Sequence, residues 1–174
     1  DVCAGSGTKT RQLAAMFPEA EVIASDPDEQ RAETLAATFD GERVRVMTPE
    51  DAKAAALGRV DLVVLDVPCT NSGVLGRRPE ARYRSSQSQL DRLAAIQRQI
   101  IADAIPLLSP RGQILYVTCS LEAEENEQQG VWARRWHRCA LGDPVRREPA
   151  GAPGDPPGRY ADGAFAQVFS RFGA

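Results

Sequence analysis

Two cysteines stand where a sheet would present reactive groups. The apolar run Leu62-Val-Val-Leu65 leads into Asp66-Val-Pro-Cys69, and a second run, Ile114-Leu-Tyr-Val-Thr118, ends at Cys119. A strand that stops at a carboxylate or a thiol displays it at the rim of the sheet, and open α/β sheets bind ligands outside the carboxyl ends of their strands. Two thiols and a carboxylate at one rim point to thiol chemistry, in which a thiolate attacks and splits one hard step into two easier ones. A free thiol ionises near pH ~8.5, so an attacking cysteine needs a neighbour that favours its thiolate. Cys3 and Cys139 read instead as small apolar side chains of the interior.

A second group of candidates lies in Asp1-Val-Cys-Ala-Gly-Ser-Gly-Thr-Lys-Thr10. Gly5-Ser6-Gly7 reads as a turn that lets a ligand approach the backbone, and a helix starting at Thr8 offers its N-terminus to a negative group. The turn lacks the third glycine of a dinucleotide fingerprint and does not fit GxxxxGK[ST], which argues against a P-loop nucleotidase. Asp26 ends the next strand, roughly 20 residues on, where a carboxylate accepts hydrogen bonds from ribose hydroxyls. Turn and acid together point to a cofactor carrying a nucleoside. Asp26 could instead cap a helix, but Asp28 directly precedes the helical run and is better placed to do so.

These groups need strands and helices in alternation. Apolar spacing predicts helices over Thr8 to Phe17, Asp28 to Phe39 and, in a short piece containing Asp51, Pro49 to Leu57. Strands are predicted at Glu21 to Ser25, Arg43 to Met47, Leu62 to Leu65, Gln113 to Thr118 and Phe165 to Phe172. A long loop runs from Val67 to about Ser86. Ser86 to Leu108 reads as a long helix with Leu90, Leu93, Ile96 or Gln97, Ile100, Ile101, Ala104 and Leu108 inward, kinked or ended by Pro106. Pro110-Arg-Gly112 reads as a turn. Leu121 to Arg138 reads as a helix with Glu122, Glu124, Glu125 and Glu127 at its start and Arg134, Arg135 and Arg138 at its end, which suits the helix dipole. Trp132, Trp136 and His137 read as packing or surface, and Cys139 to Ala161 as irregular. Alternating strands and helices imply an α/β fold with a mostly parallel sheet. Only Asp1 to Cys3 remain for a strand before the glycine turn, so the chain reads as a fragment cut inside its first strand.

The 174 residues, 43% hydrophobic and 26% charged, fit one globular domain that buries a core without disulfides. No membrane-spanning run and no export signal is evident, so a cytoplasmic, monomeric protein with reduced thiols is expected. One histidine and no CxxC pair argue against a metal site. The net charge of -3 does not advertise nucleic acid. Yet Lys9 and Lys53 are the only lysines, and arginines cluster at Arg77-Arg78, Arg82 and Arg84, Arg134-Arg135 and Arg138, and Arg146-Arg147. Arginine suits bidentate phosphate contact; a genome that prefers arginine codons would give the same clusters.

Taken in order, the motifs resemble those of the Nop/Sun family of S-adenosylmethionine-dependent RNA (cytosine-5) methyltransferases. Asp1-Val-Cys-Ala-Gly-Ser-Gly-Thr-Lys-Thr10 is similar to the family's Ala-Ala-Pro-Gly-Gly-Lys-Thr, with Gly5-Ser6 in place of Ala-Pro and Thr8 in place of a glycine. Asp66-Val-Pro-Cys-Thr-Asn-Ser-Gly-Val74 resembles Asp-Ala-Pro-Cys-Ser-Gly-Thr-Gly-Val. Arg77-Arg-Pro-Glu-Ala-Arg-Tyr-Arg84 resembles the next family segment, with Tyr83 for a usual tryptophan. Tyr116-Val-Thr-Cys-Ser-Leu-Glu-Ala-Glu-Glu-Asn-Glu127 matches Tyr-x-Thr-Cys-Ser-x-x-x-x-Glu-Asn-Glu, and Asp162-Gly-Ala-Phe165 resembles Asp-Gly-Phe-Phe.

The resemblance implies a Rossmann-like methyltransferase domain over residues 1–174, with helices on both faces of the sheet and without the family's N-terminal RNA-recruiting region. It implies methylation of cytosine C5 in RNA, with ribosomal RNA the expected target and transfer RNA the alternative. Cytosine C5 is a poor nucleophile until a thiolate adds to C6, and the resemblance gives that attack to Cys119 and help with product release to Cys69. Asp66 is implied to hydrogen-bond the cytosine ring, and Lys9 to reach the base or the cofactor. S-adenosylmethionine is expected against Cys3, Ala4, Gly5, Ser6, Gly7, Thr8 and Lys9, with Asp26, Asp51 and Asp66 around it and Asp51 at the adenine edge. Arg77, Arg78, Arg82 and Arg84 are expected on RNA phosphates, with Tyr83 stacking on a base. Glu125 and Asn126 are expected to be structural, near the Cys119 strand. A non-catalytic RNA-binding module that keeps the fold is the competing reading.

Overall fold

The protein is described by a computed structural model covering residues 1–41, 43–74, 86–142 and 165–171. Strand β1 (Val22–Ala24) pairs in parallel with β2 (Val44–Val46). Strand β3 (Val60–Asp66) pairs in parallel with β4 (Leu108–Thr118), which continues into an antiparallel edge of β6 (Phe165–Arg171) and β5 (Cys139–Leu141). The stretch Asp1–Ala4 joins the two sets. Ser25 N donates to Asp1 O at 2.9 Å and Ala4 N to Ser25 O at 3.0 Å on one side, and Val2 N donates to Val64 O at 3.2 Å on the other. The glycine turn and the Cys69 loop therefore leave adjacent positions at the same rim.

Helices α1 (Thr8–Met16), α2 (Glu29–Thr38), α3 (Pro49–Ala56), α4 (Gln87–Ala104) and α5 (Glu127–His137) complete the chain. Three of them start where a side chain accepts an otherwise unpaired N–H: Asp28 from Arg31, Thr48 from Asp51 and Ser86 from Gln89. Helix α1 has no side-chain cap; Gly7 precedes it in the left-handed region at φ 82°. Two apolar clusters form. Leu35, Phe39, Val22, Ala24 and Val44 close under α1 and α2, and Val63, Leu65, Ile101, Ile114, Phe165 and Phe169 close under α4 and α5. This is the layered Rossmann-like arrangement expected of a methyltransferase domain.

Three expectations are corrected and one open alternative is resolved. Pro110-Arg-Gly112 is not a turn before β4 but a bulge within it, since Val60 pairs with Leu108 and Leu62 with Gln113. Gly112 makes this possible, because a Cβ there would lie 2.4 Å from Val60 O. The helix expected from Leu121 starts only at Glu127, because the polar groups of residues 120–126 bond to one another and to neighbouring loops. On α4 the inward residue is Gln97, fully buried, whereas Ile96 faces out. Finally, Cys139–Leu141 forms a strand rather than irregular chain, held by pairing to β6.

Candidate active site

The two apolar runs end as the sequence suggests, and their cysteines meet. Cys69 Sγ and Cys119 Sγ are 3.4 Å apart, both half-buried and reduced. The contact sets the two thiols apart chemically. Cys69 is pushed far up, first by its hydrogen bond to Cys119 and then by burial. Cys119 is lowered from the usual thiol range, first because Cys69 donates to it; Lys9 adds to this, while partial burial and the Asp66 carboxylate oppose it. The two thiols are thus inequivalent: Cys119 gives up its proton more readily than an ordinary thiol, and Cys69 keeps its own.

The pair is held by the turn that precedes α5. Glu125, fully buried, accepts from Thr70 N at 3.0 Å, from Thr70 Oγ1 at 2.6 Å and from Gln97 Nε2 at 2.9 Å. Gln97 Nε2 also donates to Pro68 O at 2.9 Å, so both residues flanking Cys69 are tied to the interior. Asn126, also fully buried, does the same around Cys119: its Oδ1 accepts from Thr118 Oγ1 at 2.5 Å and its Nδ2 donates to Ser120 O at 2.8 Å. From beneath, Tyr116 Oη donates to Glu125 O at 2.6 Å. Gly73 N bonds Cys119 O at 3.0 Å and Leu121 N bonds Ser72 Oγ at 2.8 Å, joining the two loops directly. Asn126 and Glu125 therefore both lie beside the Cys119 strand as expected, and the Glu125 carboxylate reaches across to the loop of the opposite cysteine. Gln97 carries a site role that its place in an apolar stripe does not announce.

The glycine end of the rim is simpler. Asp26, buried, accepts from Gly5 N at 2.8 Å through Oδ2 and from Asp28 N at 2.9 Å through Oδ1. It ties the turn to the end of β1, and Asp28, not Asp26, caps α2. Lys9 projects from the first turn of α1 and pairs with Asp66 at the end of β3, which links the glycine turn to the thiol loop. Cys3 is pushed up to about 12, by burial above all and then by Asp26 and Asp66, so it is inert at neutral pH. Asp51 lies exposed at the start of α3, where its Oδ2 accepts from Thr48 Oγ1 at 2.8 Å. The structure therefore brings Lys9, Asp66, Cys69 and Cys119 together and sets Asp26 beside the glycine turn. Arg77, Arg78, Arg82, Tyr83 and Arg84, and Asp162 to Ala164, lie outside the described residues.

The glycine turn packs directly on the core: a Cβ at Gly7 would come within 2.6 Å of Phe39 Cε2 and 3.0 Å of Leu35 Cδ1, so no side chain fits between turn and core. Among the described residues no cluster of His, Cys, Asp and Glu is arranged to hold a metal ion, and no helix is long and apolar enough to cross a membrane.

Known proteins share this construction. The chain is 32% identical over 174 residues to the ribosomal RNA small subunit methyltransferase B of Salmonella paratyphi B, an alignment spanning 95% of this chain and 40% of that protein. The chain spans 31% to 40% of the length of the curated relatives it matches. Its fold superposes on NSun6 from Pyrococcus horikoshii, solved with SFG, an analogue of S-adenosylmethionine, at a TM-score of 0.80 and 26% identity, over 100% of this chain and 47% of that one. A methyltransferase homologue from Pyrococcus horikoshii, 21% identical, shares the fold at a TM-score of 0.70 over 97% of this chain and 59% of its own. Residues 1–138 match the family model described as 16S rRNA methyltransferase RsmB/F, and the chain belongs to that S-adenosylmethionine-dependent family.

Proposed function

We propose that the chain methylates C5 of cytosine in RNA, with ribosomal RNA as target, through a covalent bond between Cys119 Sγ and cytosine C6. The observation that carries this reading is the thiol pair, 3.4 Å apart and driven in opposite directions, beside the Lys9–Asp66 ion pair. A single nucleophile needs no second thiol. A nucleophile that must later depart benefits from a neighbour that keeps its proton.

Each residue then has a step. Cys119 adds to C6, which raises electron density at C5. The glycine turn and Asp26 would hold S-adenosylmethionine, which would supply the methyl group as an electrophilic sulfonium. Asp66, charge-balanced by Lys9, hydrogen-bonds the ring and favours its electrophilic form. Solvent water takes the C5 proton, the C5–H electron pair re-forms the C5=C6 double bond, the C6–S bond breaks with its pair on Cys119, and the Cys69 S–H stabilises that departing thiolate. The buried bonds of Glu125 and Asn126 keep the two sulfurs in register throughout.

The test is methyl transfer from labelled S-adenosylmethionine by the full chain, with ribosomal RNA and transfer RNA supplied separately. Cys119→Ala is expected to abolish transfer. Cys69→Ala is expected to leave RNA attached to the protein as a slow band on a denaturing gel. Full activity in the first variant removes Cys119 as nucleophile, and clean turnover in the second removes Cys69 from product release. Transfer to transfer RNA alone would reassign the target.

A further inference from the structure

Asn71 touches the reacting sulfur, yet the scheme above gives it no task. Its backbone lies in the left-handed region at φ 60°, where glycine and asparagine are the residues that fit readily. Glycine would make the turn equally well. Asparagine adds a side-chain amide, and both ends of that amide are engaged. Nδ2 donates to Cys69 O at 3.0 Å, and Oδ1 receives Cys119 Sγ at 2.9 Å.

The orientation of the amide follows from chemistry. A backbone carbonyl only accepts, so Cys69 O requires the NH2 end to face it. The carbonyl end is thereby turned toward Cys119, and an amide oxygen also only accepts. Cys119 can satisfy it only as S–H; a thiolate there would meet a lone pair at contact distance. The other groups facing Cys119 are the Cys69 thiol, its own backbone N–H and Lys9, which favour the thiolate, and Asp66, which disfavours it.

We propose that Asn71 is a positioning residue that holds Cys119 as a thiol while the base site is empty and so sets the pH at which the nucleophile is armed. Ionisation turns the Asn71 contact from attraction to repulsion, so Cys119 becomes reactive as it swings off the amide toward an incoming base. Asn71 and Cys69 pull on one sulfur in opposite senses. The nucleophile is thereby spared from reacting with adventitious electrophiles between turnovers.

This inference rests on the reading of Cys119 as nucleophile, but its test needs no methyl transfer. The full chain is alkylated with iodoacetamide across a range of pH, and modification of Cys119 is followed by peptide mass spectrometry. In Asn71→Gly, which keeps the left-handed backbone, the midpoint is expected to fall, giving roughly fivefold more thiolate below the midpoint, the worth of one neutral hydrogen bond. In Asn71→Asp a negative charge faces the sulfur, and the midpoint is expected to rise, with roughly tenfold less thiolate. A midpoint in Asn71→Gly that stays put or rises overturns the proposal, including the case where reactivity changes equally at every pH, as a purely structural role would give. Shifted midpoints in a chain that transfers no methyl group would leave this inference standing and sink the methylation reading instead.

Discussion

The loop that carries Cys69 and the turn that carries Gly7 leave neighbouring positions of one sheet, and they are held by opposite means. Around the thiols, side chains do the holding: Glu125, Asn126 and Gln97 are fully buried and bond the backbone or hydroxyl on either side of each cysteine. Around the glycine turn the backbone itself is the structure. One carboxylate, Asp26, bonds Gly5 N, and α1 begins without a side-chain cap. The difference matches the work proposed for each end. Two sulfurs that act on one another must stay within an ångström or so of their places, which a satisfied buried network achieves. The N–H groups of Gly5 and Gly7 are engaged by Asp26 and Ala4 O, so a cofactor here would meet the start of α1, which no side chain caps.

The largest effect is expected where the network is cut. Glu125→Ala leaves Thr70 N without an acceptor and Gln97 Nε2 with Pro68 O alone, a cost of about 3 kcal/mol. Urea unfolding should show that loss. Methyl transfer measured below the unfolding midpoint should drop by roughly two orders of magnitude as the Cys69 loop loses its anchor. Glu125→Gln keeps an acceptor for Thr70 N and Gln97 and should recover most of the stability. Equal loss in both variants would mean that the charge, not the hydrogen bonds, holds the thiol end.

The glycine end should break differently. Gly7→Ala places a Cβ against Phe39 in a backbone conformation at φ 82° that alanine disfavours, which is expected to cost about 2 kcal/mol. The strain falls on the turn, so calorimetry should show weaker S-adenosylmethionine binding while the alkylation profiles of Cys69 and Cys119 stay unchanged. Altered thiol reactivity in this variant would show that the two ends are one mechanical unit, joined through Lys9 and Asp66.

Sequence legibility divides along the same line. The thiol positions are readable because each apolar run leads to a cysteine just past its end, and strand ends face a rim. The glycine turn and Asp26 were readable because their spacing is local. The supporting network was not. Gln97 occupies a site that apolar spacing shares with Ile96, and only Pro68 and Glu125, 29 and 28 residues away, make the polar side chain the inward one. Glu125 sits in an acidic stretch that looks like a first helical turn, and its partner Thr70 is 55 residues distant. Strand β5 is three residues long and gains its identity from β6, beyond a stretch rich in proline and glycine. Periodicity reports which face is buried; it does not report what a buried polar group bonds.

The smallest expected effect tests the far edge of the glycine end. Asp51 receives the Thr48 hydroxyl through Oδ2, and among the described residues no bond engages Oδ1. That oxygen is available to an amino group such as the adenine edge of the cofactor. Because the carboxylate is exposed, Asp51→Ala should change stability by only about 0.5 kcal/mol, the scale of a partly lost cap. Affinity for S-adenosylmethionine should fall roughly fivefold, the worth of one hydrogen bond to the ligand. A variant that loses the cap but binds the cofactor as before would confine Asp51 to helix α3, leaving Asp26 as the acid that marks the nucleoside.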